Sequence, residues 1–193
     1  KDNSKIEIYP NLVIYSNNSV GVIRIDNKSF DLEMIYYNIL FFNYRGCTRY
    51  NIQDFEGAIN DQTEAIRWCK IGEKLSKEKY QTTLATLYFD RYDSYLTIAD
   101  YEKALEDLNN SLTYSSKEAI YKDYNYNPYI ITNIFELRGD LYDKLENKVS
   151  AQEDYQLALA FYQKLYKESE ENSKSLNESI NRVFKKIEKE KLS

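Results

Sequence analysis

Residues 42–66, FNYRGCTRYNIQDFEGAINDQTEAI, carry Gly46 in their first half and two alanines seven apart, Ala58 and Ala65, in their second. Steps of three, four and seven put side chains on one face of a helix, so small residues at these intervals mark a close helix contact. The stretch aligns without gaps with 88–112, YFDRYDSYLTIADYEKALEDLNNSL, and with 135–159, FELRGDLYDKLENKVSAQEDYQLAL. Phe42, Tyr88 and Phe135 coincide, as do Gly46, Tyr92 and Gly139, then Ala58, Ala104 and Ala151, then Ala65, Ser111 and Ala158. The register returns every 46 or 47 residues. Each unit therefore predicts two antiparallel helices joined by a short turn at IQD, IAD or LEN. The small residues sit where a larger side chain would push the axes beyond the ~8–10 Å of helix packing.

An arginine accompanies each unit, with an aspartate sixteen residues later: Arg45 and Asp61, Arg91 and Asp107, Arg138 and Asp154. Only seven arginines occur in the chain, so three at one register position argue for a role. In an antiparallel pair these positions face each other, and a guanidinium fork suits a carboxylate. The expectation is three structural ion pairs that hold helix register.

Composition bounds the function. The 193 residues carry a net charge of −5 and are 42% hydrophobic and 30% charged, the balance of a folded, soluble chain. An acidic chain is a poor match for a phosphate backbone, which clustered Lys and Arg must neutralise, so no nucleic-acid partner is expected. No apolar run approaches the ~20 residues of a membrane span. Histidine is absent, which removes Ser-His-Asp and Cys-His nucleophiles and imidazole metal ligands. Cys47 and Cys69 alone build neither a zinc site nor a disulfide framework, and both read as small hydrophobes. No enzyme activity and no cofactor are expected. The chain starts at Lys1 without a charged-then-apolar leader; a trimmed chain would lack one too, so the compartment is left open, with the cytoplasm slightly favoured over export.

The repeat resembles the tetratricopeptide repeat (TPR), whose signature runs aromatic, Leu-Gly, aromatic, Ala, aromatic, Ala, Pro. Phe42-Gly46-Ala58-Ala65 and Phe135-Gly139-Tyr142-Ala151-Tyr155-Ala158 carry the likeness, over roughly residues 38–165. Family repeats recur every ~34 residues, so about twelve residues per unit are extra, and Lys70, Ser116 and Gln163 replace the closing proline. Both departures predict long second helices or an added turn between units. The resemblance implies an all-α, right-handed solenoid of three antiparallel helix pairs. The expected division is a β-hairpin-like segment at 1–28 with a turn near Asn17–Asn18, three helix pairs at 29–172, and a capping helix at 173–193. Ser29 is the expected cap of the first helix. The last helix should bury Ile180, Val183, Phe184 and Ile187 under a solvated Lys/Glu face.

The resemblance also implies a concave groove lined by the first helices, holding an extended peptide or a partner helix. Carried over, the groove positions are Asn43, Cys47, Tyr50, Phe89, Asp93, Leu96, Asn133, Glu136, Asp140 and Asp143. The family's clamp for a terminal carboxylate uses Lys, Asn and Arg. Here Asn43, Cys47, Asp90, Asn133 and Leu137 stand there, which disfavours that role. The acidic end of the groove predicts a basic or neutral peptide by charge complementarity. Glu136, Asp140 and Asp143 share one stripe, yet they lie on one helix with no loop to complete a cation's shell, so no metal is expected. Tyr121, Tyr124, Tyr126 and Tyr129 are expected first as filling between units two and three and second as a further interface, since tyrosines favour such surfaces. The expected function is a non-catalytic scaffold for a protein or peptide partner. The alternative is a structural or regulatory segment of a larger protein, its groove filled internally.

Overall fold

The structure, a computed structural model, describes residues 8–9, 12–16, 20–22, 30–75, 77–115, 128–169 and 173–191. Three short strands come first: β1 (Ile8–Tyr9), β2 (Leu12–Ser16) and β3 (Val20–Val22), antiparallel in the order β1-β2-β3. Ser16 pairs with Val20. The turn residues 17–19, Ser29, Tyr121, Tyr124 and Tyr126 lie outside the described residues.

Helices make up the rest: α1 (Phe30–Asn51), α2 (Phe55–Leu75), α3 (Lys77–Thr97), α4 (Tyr101–Tyr114), α5 (Pro128–Lys144), α6 (Lys148–Glu168) and α7 (Lys174–Lys191). The all-α helix-pair solenoid expected from the repeat is what the chain forms, with α1–α2, α3–α4 and α5–α6 as its pairs. The expected long second helix forms in the outer pairs, where α2 and α6 each have 21 residues, but not in the middle pair, where α4 has 14; the first helices α1 and α3 are long too, at 22 and 21. Lys70 and Gln163, at the family's proline position, continue their helices.

Each turn is built alike. Its middle residue, Gln53, Ala99 or Glu146, takes a left-handed φ of 67°, 61° or 58°. The next N–H closes back five residues, from Asp54 to the Arg49 carbonyl, Asp100 to Tyr95 and Asn147 to Tyr142. That is a Schellman closure made without glycine. The same Asp54, Asp100 and Asn147 then cap the following helix by accepting from the N–H of Gly57, Lys103 and Ser150. One residue thus ends one helix and starts the next, which keeps the pair tightly antiparallel.

The pairs meet through the small residues. Ala58, Ala65, Ala104, Ala151 and Ala158 are fully buried. A Cβ on Gly46 would meet the Gln62 side chain at 3.2 Å, and one on Gly139 the Tyr155 ring at 2.7 Å. Unit two inverts this arrangement. Tyr92 fills the glycine's place, and Leu108 stands where Gln62 and Tyr155 stand in the other units. Ser111 replaces the second alanine without an orphaned hydroxyl, because its Oγ donates to the Ala85 carbonyl at 2.8 Å. Arg45, Arg91 and Arg138 each bind their aspartate through Nε and Nη2 at 2.6–2.8 Å. Arg91 Nη1 also donates to Thr63, and Arg138 Nη1 to Asn109, on the second helix of the preceding pair.

The core lies between successive elements. One cluster joins α1, α2 and α3 around Ile35, Ala65, Cys69, Leu84 and Tyr88. Another joins α3, α4 and α5 around Tyr92, Leu108, Ile134 and Leu141. The last joins α6 to α7 through Tyr155, Ala158, Tyr162, Leu176, Val183 and Ile187. Phe184, expected in the buried stripe of the last helix, is instead 49% exposed. The buried series starts one turn earlier, at Leu176, so Phe184 falls off its edge.

Candidate functional site

The first helices α1, α3 and α5 bring the expected groove residues into rows. Stepping by 46 and then 47 residues aligns Asn43, Phe89 and Glu136, then Cys47, Asp93 and Asp140, then Tyr50, Leu96 and Asp143. Neighbouring helices touch at this register: the Tyr50 and Thr97 hydroxyls are hydrogen-bonded at 3.2 Å. A further step of 46 reaches Arg182 and Lys186 on α7. Arg182 donates to Glu136 at 2.7 and 2.8 Å, and Lys186 donates to Glu136 at 2.9 Å and to Asp140 at 2.7 and 2.8 Å. Therefore α7 packs where a further first helix would follow α5 and extends the face formed by α1, α3 and α5.

This changes the charge of that face. Glu136, carried over as an open groove residue, is 3% exposed. Burial alone would raise its carboxyl, but Arg182 and Lys186 hold it below the ordinary glutamate value. Its Oε2 also accepts from the Tyr162 hydroxyl at 3.1 Å, and burial with that carboxylate pushes Tyr162 up to about 12. Asp140 accepts from the Tyr155 hydroxyl at 2.8 Å as well as from Lys186. Asp143 is paired with Lys148 at 2.5 Å. The acidic stripe expected along α5 thus carries its own cations. The lysine face of α7, expected to be solvated, supplies one of them, because Lys186 turns towards α5.

At the other end the face opens. A cleft of about 180 Å³ lies between α1 and α3, lined by Cys47, Tyr50, Asn51, Gln62, Phe89, Asp90 and Asp93. Its floor is set by Gln62, which is buried and tied at both ends: its Nε2 donates to the Asp90 carbonyl and its Oε1 accepts from Ser94. Asp93 is exposed at the rim, while Asp90 is half-buried. Burial and the neighbouring Asp93 charge push the Asp90 carboxyl up to about 6, against the hydrogen bond from Asn43. Burial also raises the Cys47 thiol. Asn133 is half-buried on α5, and Tyr129 falls in the first turn of α5.

Sequence reasoning missed Gln62, Arg182, Lys186 and Lys148. For the two residues on α7 the signal was present, since the repeat step carried past unit three lands on both. Gln62 and Lys148 lie outside the first helices, and only packing brings them to this face.

No protein-family model and no curated protein matches the chain. Solved structures do. The apo form of RapI superposes with a TM-score of 0.59 at 19% identity, over 79% of this chain and 50% of that one. The N-terminal domain of stress-induced protein-1 from C. elegans gives 0.54 at 11% identity, over 77% and 96%. The second TPR domain of human RPAP3, in complex with an HSP70 peptide, gives 0.50 at 18%, over 77% and 97%. At these identities the likeness is one of fold, and it agrees with the repeat and the helix pairs: the chain is a TPR-like helical-repeat protein.

Proposed function

We propose that the chain is a non-catalytic protein-interaction module that holds an extended peptide, or a helix, of a partner protein on the face formed by α1, α3, α5 and α7. The observation that carries this reading is the cleft between α1 and α3, where Tyr50, Phe89, Asn51 and Asp93 line a recess. Apolar walls with a few polar groups are the usual make-up of a binding recess. Thr86, Asp93 and Thr97 are exposed on the same helix, so a ligand can approach along it. The human RPAP3 domain carries a peptide on the same fold, which supports the architecture's capacity for that task.

The test is a display selection of random peptides against the immobilised chain. Enriched peptides are then measured by fluorescence anisotropy on wild type and on Asn51→Trp/Thr86→Trp, which adds uncharged bulk at two exposed positions. The expected result is at least a tenfold loss of affinity in the variant, with an unchanged melt. Equal binding to both proteins, or no enrichment at all, overturns the reading. Glu136 and Asp140 are unsuitable targets because their substitution would unseat α7.

A further inference from the structure

We propose that the cleft between α1 and α3 is a pocket for one basic side chain, lysine or arginine, of the segment bound along the groove. This rests on the groove reading and adds the chemistry of its main anchor. Three features of the molecule support it.

The first is size and lining. About 180 Å³ lies below the ~300–1,000 Å³ of pockets that enclose a small-molecule ligand, so the cleft suits a single side chain. The rings of Tyr50 and Phe89 offer walls for an aliphatic stem or a guanidinium face, and Asp90 and Asp93 stand where its charge would arrive. The second is the molecule's own use of this register. Asp140 is the repeat equivalent of Asp93, and it holds the Lys186 ammonium at 2.7 and 2.8 Å. Asp140 takes its cation from the next first helix. By the repeat step the next first helix offers Asp93 only Asp140, a carboxylate where Asp140 itself finds Lys186.

The third is the charge left over. Among the described residues, Glu136, Asp140 and Asp143 each have a Lys or Arg partner, whereas Asp90 and Asp93 have none. The groups around Asp90 are Asn43, Cys47 and Tyr50 from α1, Gln62 from α2 and Asp93 beside it. None brings a positive charge. Its carboxyl is pushed up to about 6 by burial first and Asp93 second, so the free chain holds an uncompensated anion at neutral pH. A ligand cation would relieve it.

The test uses the full, nitrogen-15-labelled chain and two neutral-capped probes, acetyl-arginine-methylamide and its uncharged isostere acetyl-citrulline-methylamide. Arginine is expected to shift the amide signals of Cys47, Tyr50, Asn51, Phe89, Asp90 and Asp93 saturably, citrulline at least tenfold more weakly, and Asp93→Asn to abolish the difference. Equal shifts with both probes, shifts elsewhere, or none, overturn the proposal. Asp90→Asn checks the cause separately. Because the folded carboxyl titrates above its unfolded value, the native state is favoured by protonation. The variant should therefore melt higher than wild type at pH 7.5, with the gap closing towards pH 4; no gap at pH 7.5 overturns the charge argument.

The selected peptides keep the two readings apart. If they need the groove but tolerate citrulline for every Arg and norleucine for every Lys, the pocket fails and the groove stands. If arginine binds the cleft while no peptide depends on Asn51 and Thr86, the groove reading is overturned, and of the proposal only the cleft's preference for a basic side chain is left.

Discussion

Arg45, Arg91 and Arg138 share one register position but not one environment. Arg138 and Asp154 have side chains 17% and 4% exposed, whereas Arg45 is 42% exposed over a covered Asp61. Asp61 also has a second partner, Arg49 Nη1 at 3.2 Å. Removing Arg138 strands a buried carboxylate, and breaking such a pair costs about 3–5 kcal/mol. Removing Arg45 leaves Asp61 paired with Arg49, in the range of about 0–1 kcal/mol for a solvated ion pair. Urea unfolding of Arg138→Ala and Arg45→Ala should rank them in that order. A loss below ~0.5 kcal/mol for Arg138→Ala, or the reverse order, would remove the pairs from the account of stability. The glycine position teaches the same lesson about context. Tyr92 is tolerated in unit two only because Leu108 faces it in place of the tyrosine ring that excludes a Cβ at Gly139.

At the scale of elements, α7 is held both by packing and by charge. Leu176, Val183 and Ile187 are buried against α6, and Arg182 and Lys186 bind Glu136 on α5. The Glu136 carboxyl lies below its ordinary value, so its ion pairs contribute fully at pH above that value. Their contribution is lost as the pH falls through the depressed one. Amide exchange within α7 should therefore be faster in Glu136→Gln than in wild type at pH 7, and the gap should narrow as the pH falls below the ordinary glutamate value. A gap independent of pH would mean that packing alone seats the helix. The turns make the complementary point: three helices end in left-handed residues that are not glycine. The Schellman closure and a following Asp or Asn cap meet the cost of that conformation locally.

In the whole molecule each element contacts its neighbours along the chain, so stability is a sum of local interfaces. Ending the chain after Ser169 would uncover Tyr155, Ala158 and Tyr162 and strip Glu136 of Arg182 and Lys186. Burial of three aliphatic side chains, at about 1.5–3 kcal/mol each, sets the scale of the loss. The truncated protein should lose amide protection in α5 and α6 while the cluster joining α1, α2 and α3 keeps its own. Uniform loss across all helices, read by hydrogen exchange, would mean one cooperative unit instead of a graded array.

The sequence alone determined the pairs, their turns and the facing arginines and aspartates, because these follow from periodicity within a unit. Small residues at a fixed step and a polar cap after each helix leave few alternatives. It also placed Cys47, Tyr50, Phe89 and Asp93 on the first helices that line the recess. The tertiary structure alone decided which carboxylates stay available. Charge along a stripe is local, but its compensation is not: Lys186 reaches Asp140 across 46 residues of chain, whereas among the described residues Asp90 goes without a cation, because α1 brings it Asn43, Cys47 and Tyr50 and no Lys or Arg. The face that looked acidic at the α5 end is neutral there, and its uncompensated charge lies between α1 and α3.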